Sequence, residues 1–177
     1  MVLARSPLAE AGLLVTVLTP ELGLIRARAE GARRSGAKLA HALQTLNESD
    51  LMLVRGKEGW RLTGAVLAEN RFAALTREGR TCVARVSSLL MRLVGGDTTD
   101  PALHTLFIEF VTALPTCSKE ETAHAESLVV LRLLHALGFD GGETPPAGYA
   151  AEALTYAQEA RTELISRINR GISASGA

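Results

Sequence analysis

Hydrophobic and polar positions change period once along the chain, near Asn70. Before that point the period is two. Leu13 to Thr19, LLVTVLT, is an apolar and β-branched run that predicts a strand, and TPELG at Thr19–Gly23 follows it as a hairpin turn would. In the next segment, LIRARAEG, Leu24, Arg26 and Arg28 alternate strictly with Ile25, Ala27 and Ala29, so small apolar groups face a core and two arginines face outward. DLMLVRGKEGWRLTGAVLAEN gives two further β-like runs joined through RGKEG, whose Gly56 and Gly59 suit a hairpin loop. Short strands with glycine turns and no helical period between them predict a small closed or nearly closed β-barrel.

Beyond Asn70 the period is that of a helix. Val83, Val86, Leu89, Leu90 and Leu93 share one helical face, which ends at Gly95 and Gly96. A second helix is predicted from Asp100 as N-cap and Pro101 in the first turn, with Leu103, Leu106, Phe107, Phe110 and Leu114 as its apolar repeat. Ser118 with Glu121 three residues on has the capping-box form, and the helix it opens closes at Gly138. GGETPPAG predicts a loop, YAAEALTYAQEARTELISRINRG one final amphipathic helix, and the Gly/Ser/Ala tail after Arg170 a frayed end. The expected fold class is α+β, a β-barrel domain over residues 1–70 followed by a helical bundle domain over 71–177.

Composition adds little until charge is resolved locally. With 177 residues, 47% hydrophobic and 21% charged, the chain fits a globular protein and neither a disordered nor a collagen-like or coiled-coil one. Its 19 basic and 19 acidic residues balance, nine against seven up to Asn70 and ten against twelve beyond it. The unevenness is local. Arg26, Arg28, Arg33, Arg34 and Lys38 gather between Gly23 and Leu39, where Glu30 is the only acid, and a phosphate partner feels charges within about 8 to 10 Å rather than the chain average. Cys82 and Cys117 stand apart without a C-x-x-C pair, which argues against a four-thiolate zinc site or a disulfide framework and makes a reducing cytoplasm the expected compartment. The apolar stretch from Ala11 to Leu18 is far short of the ~20 residues that span a bilayer, so no membrane or targeting segment is expected.

Catalytic patterns fail on inspection. GARRSGAK, Gly31 to Lys38, has the glycine separation of a phosphate-binding P-loop, but Ala37 follows the second glycine where lysine is needed and Leu39 takes the place of the magnesium-holding hydroxyl. Glu121 and His124 form one E-x-x-H pair; a di-iron bundle needs a second, and none of His41, His104 or His135 has a glutamate three residues before it. No serine sits in a nucleophile elbow, and Cys82 on an apolar helical face reads as a small core residue. The expectation is a protein that is not an enzyme and carries no cofactor or metal.

The basic segment is then either a solvated strand and turn or a binding surface. Two features favour binding. Arg33, Arg34 and Lys38 follow Gly31, in a loop where glycine lets backbone approach a ligand closely. Arg55, Lys57 and Arg61 flank Trp60 in the later hairpin, where a base could stack on the indole while cations hold phosphates; an ordinary barrel core residue is the other reading of Trp60.

Thr19 to Leu62, with its Thr-Pro-x-x-Gly turn, the strand leading to GARR, the KL…AL run and the glycine hairpin before a last strand, resembles the amino-terminal domain of the bacterial recombination mediator RecO family. LRLLHALGFD, Leu131 to Asp140, is similar to that family's leucine-rich helix ending in Leu-Gly-aromatic. The resemblance implies an OB-fold followed by a helical domain in a cytoplasmic, nucleoid-associated protein. It also implies binding of single- and double-stranded DNA, annealing of complementary strands, and assistance to RecA loading together with RecR. Carried over to this sequence, the DNA contacts fall on Arg26, Arg33, Arg34 and Lys38, and charge with expected exposure extends them to Arg28, Arg55, Lys57 and Arg61. Many members hold zinc through four cysteines after the leucine-rich helix; DGGETPPAGY has none, so no zinc is expected. The chain is also short for the family, and Gly36, Ala37 and Ala40 replace some of the usual basic and aromatic residues. In some members the helical domain docks the acidic tail of the single-stranded-DNA-binding protein, for which Arg132 among Leu128, Leu131 and Leu134 is a candidate pocket here. The alternative function, motivated by the near-zero net charge, is a protein-interaction adaptor of the same fold with little direct DNA binding.

Overall fold

The computed structural model describes residues 1–8, 12–32, 38–95 and 100–176, and in two compact units, Met1–Ala74 and Leu75–Gly95 with Ala102–Ala177. Five strands make the first: β1 (Val2–Leu8), β2 (Gly12–Thr19), β3 (Gly23–Ala29), β4 (Asn47–Gly56) and β5 (Gly59–Asn70), with the short helices α1 (Lys38–Ala42) before β4 and α2 (Arg71–Ala74) after β5. The sheet order is β1-β2-β3-β5-β4, antiparallel throughout except where β3 runs parallel to β5. Its two end strands meet where the Leu46 amide, just ahead of β4, donates to the Val2 carbonyl at 2.8 Å. A five-stranded barrel in this order is the OB-fold.

The local chemistry that sets these strands is visible residue by residue. At the β2–β3 turn the Thr19 hydroxyl accepts from the Leu22 amide (2.9 Å) and donates to the Gly23 carbonyl (3.3 Å), while Gly23 takes a φ of 64° that a side chain would resist. Alternation on β3 then buries Ile25, Ala27 and Ala29 at 2% exposure or less and turns Arg26 and Arg28 outward. The barrel core joins them to Val2, Leu13, Val15, Val17, Leu43 and Leu62. Strand β1 is an element that the hydrophobic pattern does not announce, because Arg5, Ser6 and Pro7 interrupt it; Pro7 is tolerated on a strand that ends the sheet order.

In the second unit α3 (Arg77–Leu93), α4 (Pro101–Ala113), α5 (Lys119–Ala136), α6 (Ala151–Glu159) and α7 (Arg161–Ser175) surround a core of leucine, valine and phenylalanine. The capping box at Ser118 and Glu121 is formed in both directions, at 3.2 and 2.7 Å. The far end of α5 closes as a Schellman motif: Phe139 N donates to Leu134 O (2.8 Å), Gly138 N to His135 O (3.0 Å), and Gly138 has a φ of 79°. Leu128 through Leu134 are all buried, so this half of α5 is enclosed around its circumference and packs against α3, α6 and α7.

Two expectations are corrected here. The final amphipathic segment is two helices, broken at Ala160, and the tail after Arg170 remains helical through Ser175. Gly171 explains the second point, since a Cβ there would lie 2.9 Å from Leu134 Cδ1 and 3.2 Å from the Phe139 carbonyl; only hydrogen lets α7 pass this close to the end of α5.

Residues 140–148 lack regular structure and are held by guanidinium groups. Arg167, 5% exposed, donates through Nε and Nη2 to the Asp140 carboxylate (3.2 and 2.6 Å) and through Nη2 to Glu143 O (2.7 Å). These hydrogen bonds hold the Asp140 carboxyl below the usual aspartate range. Breaking such a buried pair from one side costs roughly 3–5 kcal/mol. Arg167→Met should therefore lower the unfolding free energy at neutral pH by about 3 kcal/mol in a denaturant titration. Asp140 titrates lower folded than unfolded, so its contribution is complete above about pH 5 and is lost as pH falls through the native value. The variant should lose that part of the acid dependence.

Candidate nucleic-acid interface

Because β3 is paired on both sides, its outward arginines stand in the middle of a surface rather than at an edge. Arg28 lies opposite Leu14 of β2 and opposite Arg61 of β5, and Arg26 lies opposite Thr16. Arg26, Arg28 and Arg61 are exposed and share one face. The β4–β5 hairpin adds Lys57 and Glu58 at its tip, between Gly56 and Gly59, the latter with a φ of 100°. Glu58 reaches back to accept a hydrogen bond from Arg28 Nη1. A shallow cavity of about 230 Å³ lies at this tip, lined by Arg28, Lys57, Glu58, Trp60 and Arg61 among others.

Trp60 packs toward the barrel. Its ring lies against the barrel core, opposite Ala27 in register, and the Arg55 guanidinium stands 5.1 Å from the ring centroid. The indole Nε1 is buried without a hydrogen-bond partner among the described residues. The inward side of β5 favours the core reading of Trp60, while the half-buried ring also lines the tip cavity with Arg28, Lys57 and Arg61. Of the remaining expected contacts, Arg33 and Arg34 lie outside the described residues, and so does the side chain of Lys38, which opens α1.

The pocket expected around Arg132 is corrected. Leu128 and Leu131 are 0% exposed and Arg132 is 4% exposed. Its Nη2 donates to the carbonyls of Gly148 (2.8 Å) and Pro146, and its guanidinium lies 4.8 Å from the Tyr149 ring centroid. These groups are interior and present no groove to a partner. An open groove of about 840 Å³ lies elsewhere in the helical unit, lined by Leu89, Val130, Ile165, Ile168 and Ile172 together with Glu120, Glu126 and Arg161.

Cys82 is fully buried, and burial pushes its thiol pKa up, which makes it a poor nucleophile. Glu121 is spent on its capping box. Among the described residues no three His, Cys, Asp or Glu side chains gather as a metal site would require, and no helix is long and apolar enough to cross a membrane.

Fold and surface together define an α+β protein built on an OB-fold domain whose outer face carries arginines. A family model described as "Recombination protein O N terminal" matches residues 1–71, the segment that forms the barrel. Its barrel unit, residues 1–71, is thus matched as the amino-terminal domain of the RecO family. The chain is similar to proteins named DNA repair protein RecO: 44% identical to that of Gloeobacter violaceus over 36% of this chain and 24% of the relative. The likeness to the Synechococcus protein is 31% over 74% of this chain and 47% of the relative, and to the Frankia casuarinae protein 31% over 80% and 58%. The chain spans from about a quarter to under three fifths of the length of these curated relatives.

If Trp60 serves packing, removing it should show in stability first. Trp60→Ala should cost about 2–4 kcal/mol in a denaturant titration. A variant as stable as the parent would return the indole to the list of ligand contacts.

Proposed function

We propose that the chain acts in DNA repair by recombination as a mediator that catalyses no reaction. In this reading the OB-fold unit, residues 1–70, binds single- and double-stranded DNA through its arginines, and the helical unit, 71–177, serves partner proteins. Neutralising phosphates of two strands on one surface lowers the repulsion that opposes their pairing, which is the physical basis for annealing; RecR and RecA are the partners through which annealed or loaded strands are passed on. The observation that carries the reading is the register of Arg28 beside Arg61 with Arg26 on the same face. OB-folds bind oligonucleotides on the face of their second and third strands and on the loop between the fourth and fifth, and in this chain that face and loop hold Arg26, Arg28, Lys57 and Glu58.

The adaptor reading has its own observation, the open groove of the helical unit, where apolar residues such as Ile165, 42% exposed, stand among Glu120, Glu126 and Arg161. An acidic, aromatic-ended tail such as that of the single-stranded-DNA-binding protein would have to use this groove beside Arg161, since Arg132 is interior.

A salt titration separates the two. Binding of a short fluorescent single strand should weaken with a log–log slope of about −0.7 per phosphate neutralised, so Arg26→Ala with Arg61→Ala, or Arg33→Ala with Arg34→Ala, should flatten the slope by roughly 1.4. No binding at low salt, or a slope unchanged in both double variants, would transfer the function to the adaptor reading.

A further inference from the structure

Five large hydrophobic side chains are exposed among the described residues, and three of them stand on one hairpin: Met52 at 64%, Val66 at 61% and Val54 at 47%. Strand register puts them on a common face. Val66 lies opposite Asp50, Met52 opposite Gly64 and Val54 opposite Arg61, while the inward positions carry Leu51, Leu53, Leu62 and Ala65. Met52 lies across the hairpin. A Cβ at Gly64 would fall 2.9 Å from its sulfur, so the bare backbone at Gly64 is what gives the thioether room.

The strip runs straight into the cations, because Arg61, opposite Val54, is itself opposite Arg28. The one charge within the strip, Asp50, stands at the end away from those arginines. An exposed strand pair does not gain from such a composition: water-facing strands are ordinarily protected by charge, and an apolar patch there invites association. The arrangement matches a ligand that offers anionic groups and apolar faces side by side. A single nucleic-acid strand does so. In a duplex the base faces are stacked on one another, and the protein meets phosphates and groove edges.

We infer that Met52, Val54 and Val66 form a platform for the unpaired bases of a single strand whose phosphates lie on Arg28 and Arg61. This rests on the DNA-binding reading above and deepens it, assigning strand selectivity to aliphatic and thioether contacts on a face where the tryptophan is turned inward. The polarisable sulfur of Met52 suits contact with aromatic rings of any sequence, so the platform selects single strands without selecting bases.

The test compares three labelled ligands at low salt: a mixed-sequence single strand, an abasic strand with the same phosphate backbone, and the corresponding duplex. Wild type should bind the base-bearing strand more tightly than the abasic one. The combined variant Met52→Ser, Val54→Thr, Val66→Thr should bind the base-bearing strand roughly fivefold or more weakly and the other two within about twofold, removing the difference. All three side chains are exposed, so the unfolding midpoint should hold, and Met52→Ser alone provides a milder second variant with the same ordering. Equal losses on all three ligands, or no loss on any, would overturn the platform while leaving the arginine reading intact. Failure of wild type to bind any of the three would instead remove the DNA-binding reading itself.

Discussion

The parallel pairing of β3 with β5, made through Ala27 with Trp60 and Arg28 with Arg61, is the constraint from which the barrel's inside and outside both follow. Parallel neighbours cannot be joined by a tight turn, so the chain must cross over between Ala29 and Asn47, the stretch that contains α1. With β5 beside β3, the antiparallel hairpin places β4 at the end of the order, where the amide of Leu46 finds Val2 and the barrel closes. Leu46 pays for this with a φ of 65°, the one positive value among the described non-glycine residues. Inside, an indole fits over β3 because that strand carries alanine at positions 27 and 29. Outside, the same register sets two guanidinium groups on adjacent strands, an arrangement unfavourable for folding that Glu58 partly relieves by bonding Arg28. Where a sequence accepts such a local conflict without a packing gain, a ligand is the reasonable compensation.

Arginine does opposite work in the helical unit. Arg132 and Arg167 are buried at 4% and 5% exposure; Nη2 of Arg132 donates to the carbonyls of Pro146 and Gly148, and Arg167 donates to the Glu143 carbonyl and to Asp140. Carbonyls in residues 140–148 have no helix or sheet to satisfy them, and a planar guanidinium can serve two at once from a fixed geometry. Gly142 belongs to the same arrangement: a Cβ there would fall 2.5 Å from Arg167 Nη2. One residue type thus acts as an internal fastener in one unit and as surface charge in the other.

This division marks what the sequence could and could not disclose. The alternation of Arg26, Ala27, Arg28 and Ala29 was legible because a period of two with opposed polarities has one solution on a half-buried strand. The capping box and Gly138 were legible because they are local: each needs a few residues and no tertiary partner. Arg132 was not, since its neighbours at the pattern level are leucines that could as well line a groove, and only the carbonyls of Pro146 and Gly148 fix its place. Met52, Val54 and Val66 escaped for a different reason. Both parities of LMLV and of AVL are apolar, so hydrophobicity does not say which set faces water, and the answer lies in the bulges that shift the β4–β5 register between Met52 and Leu53 and between Glu48 and Ser49.

The cations on the barrel are not idle before a ligand arrives, and that shapes how a polyanion would be recognised. Arg28 is bonded to Glu58, and Arg55 lies over Trp60. A single phosphate that captured Arg28 would have to replace a carboxylate already there, exchanging one exposed ion pair for another of similar small worth. A strand that also meets Arg26 and Arg61 makes the same exchange once but gains the other contacts at the effective concentration set by its own backbone. Glu58 therefore costs a monovalent anion nearly everything and a polymer only a fraction, a discrimination by length that needs no base contact. The same logic accounts for a chain whose net charge is zero: what decides is the few charges a ligand can reach together rather than the chain total.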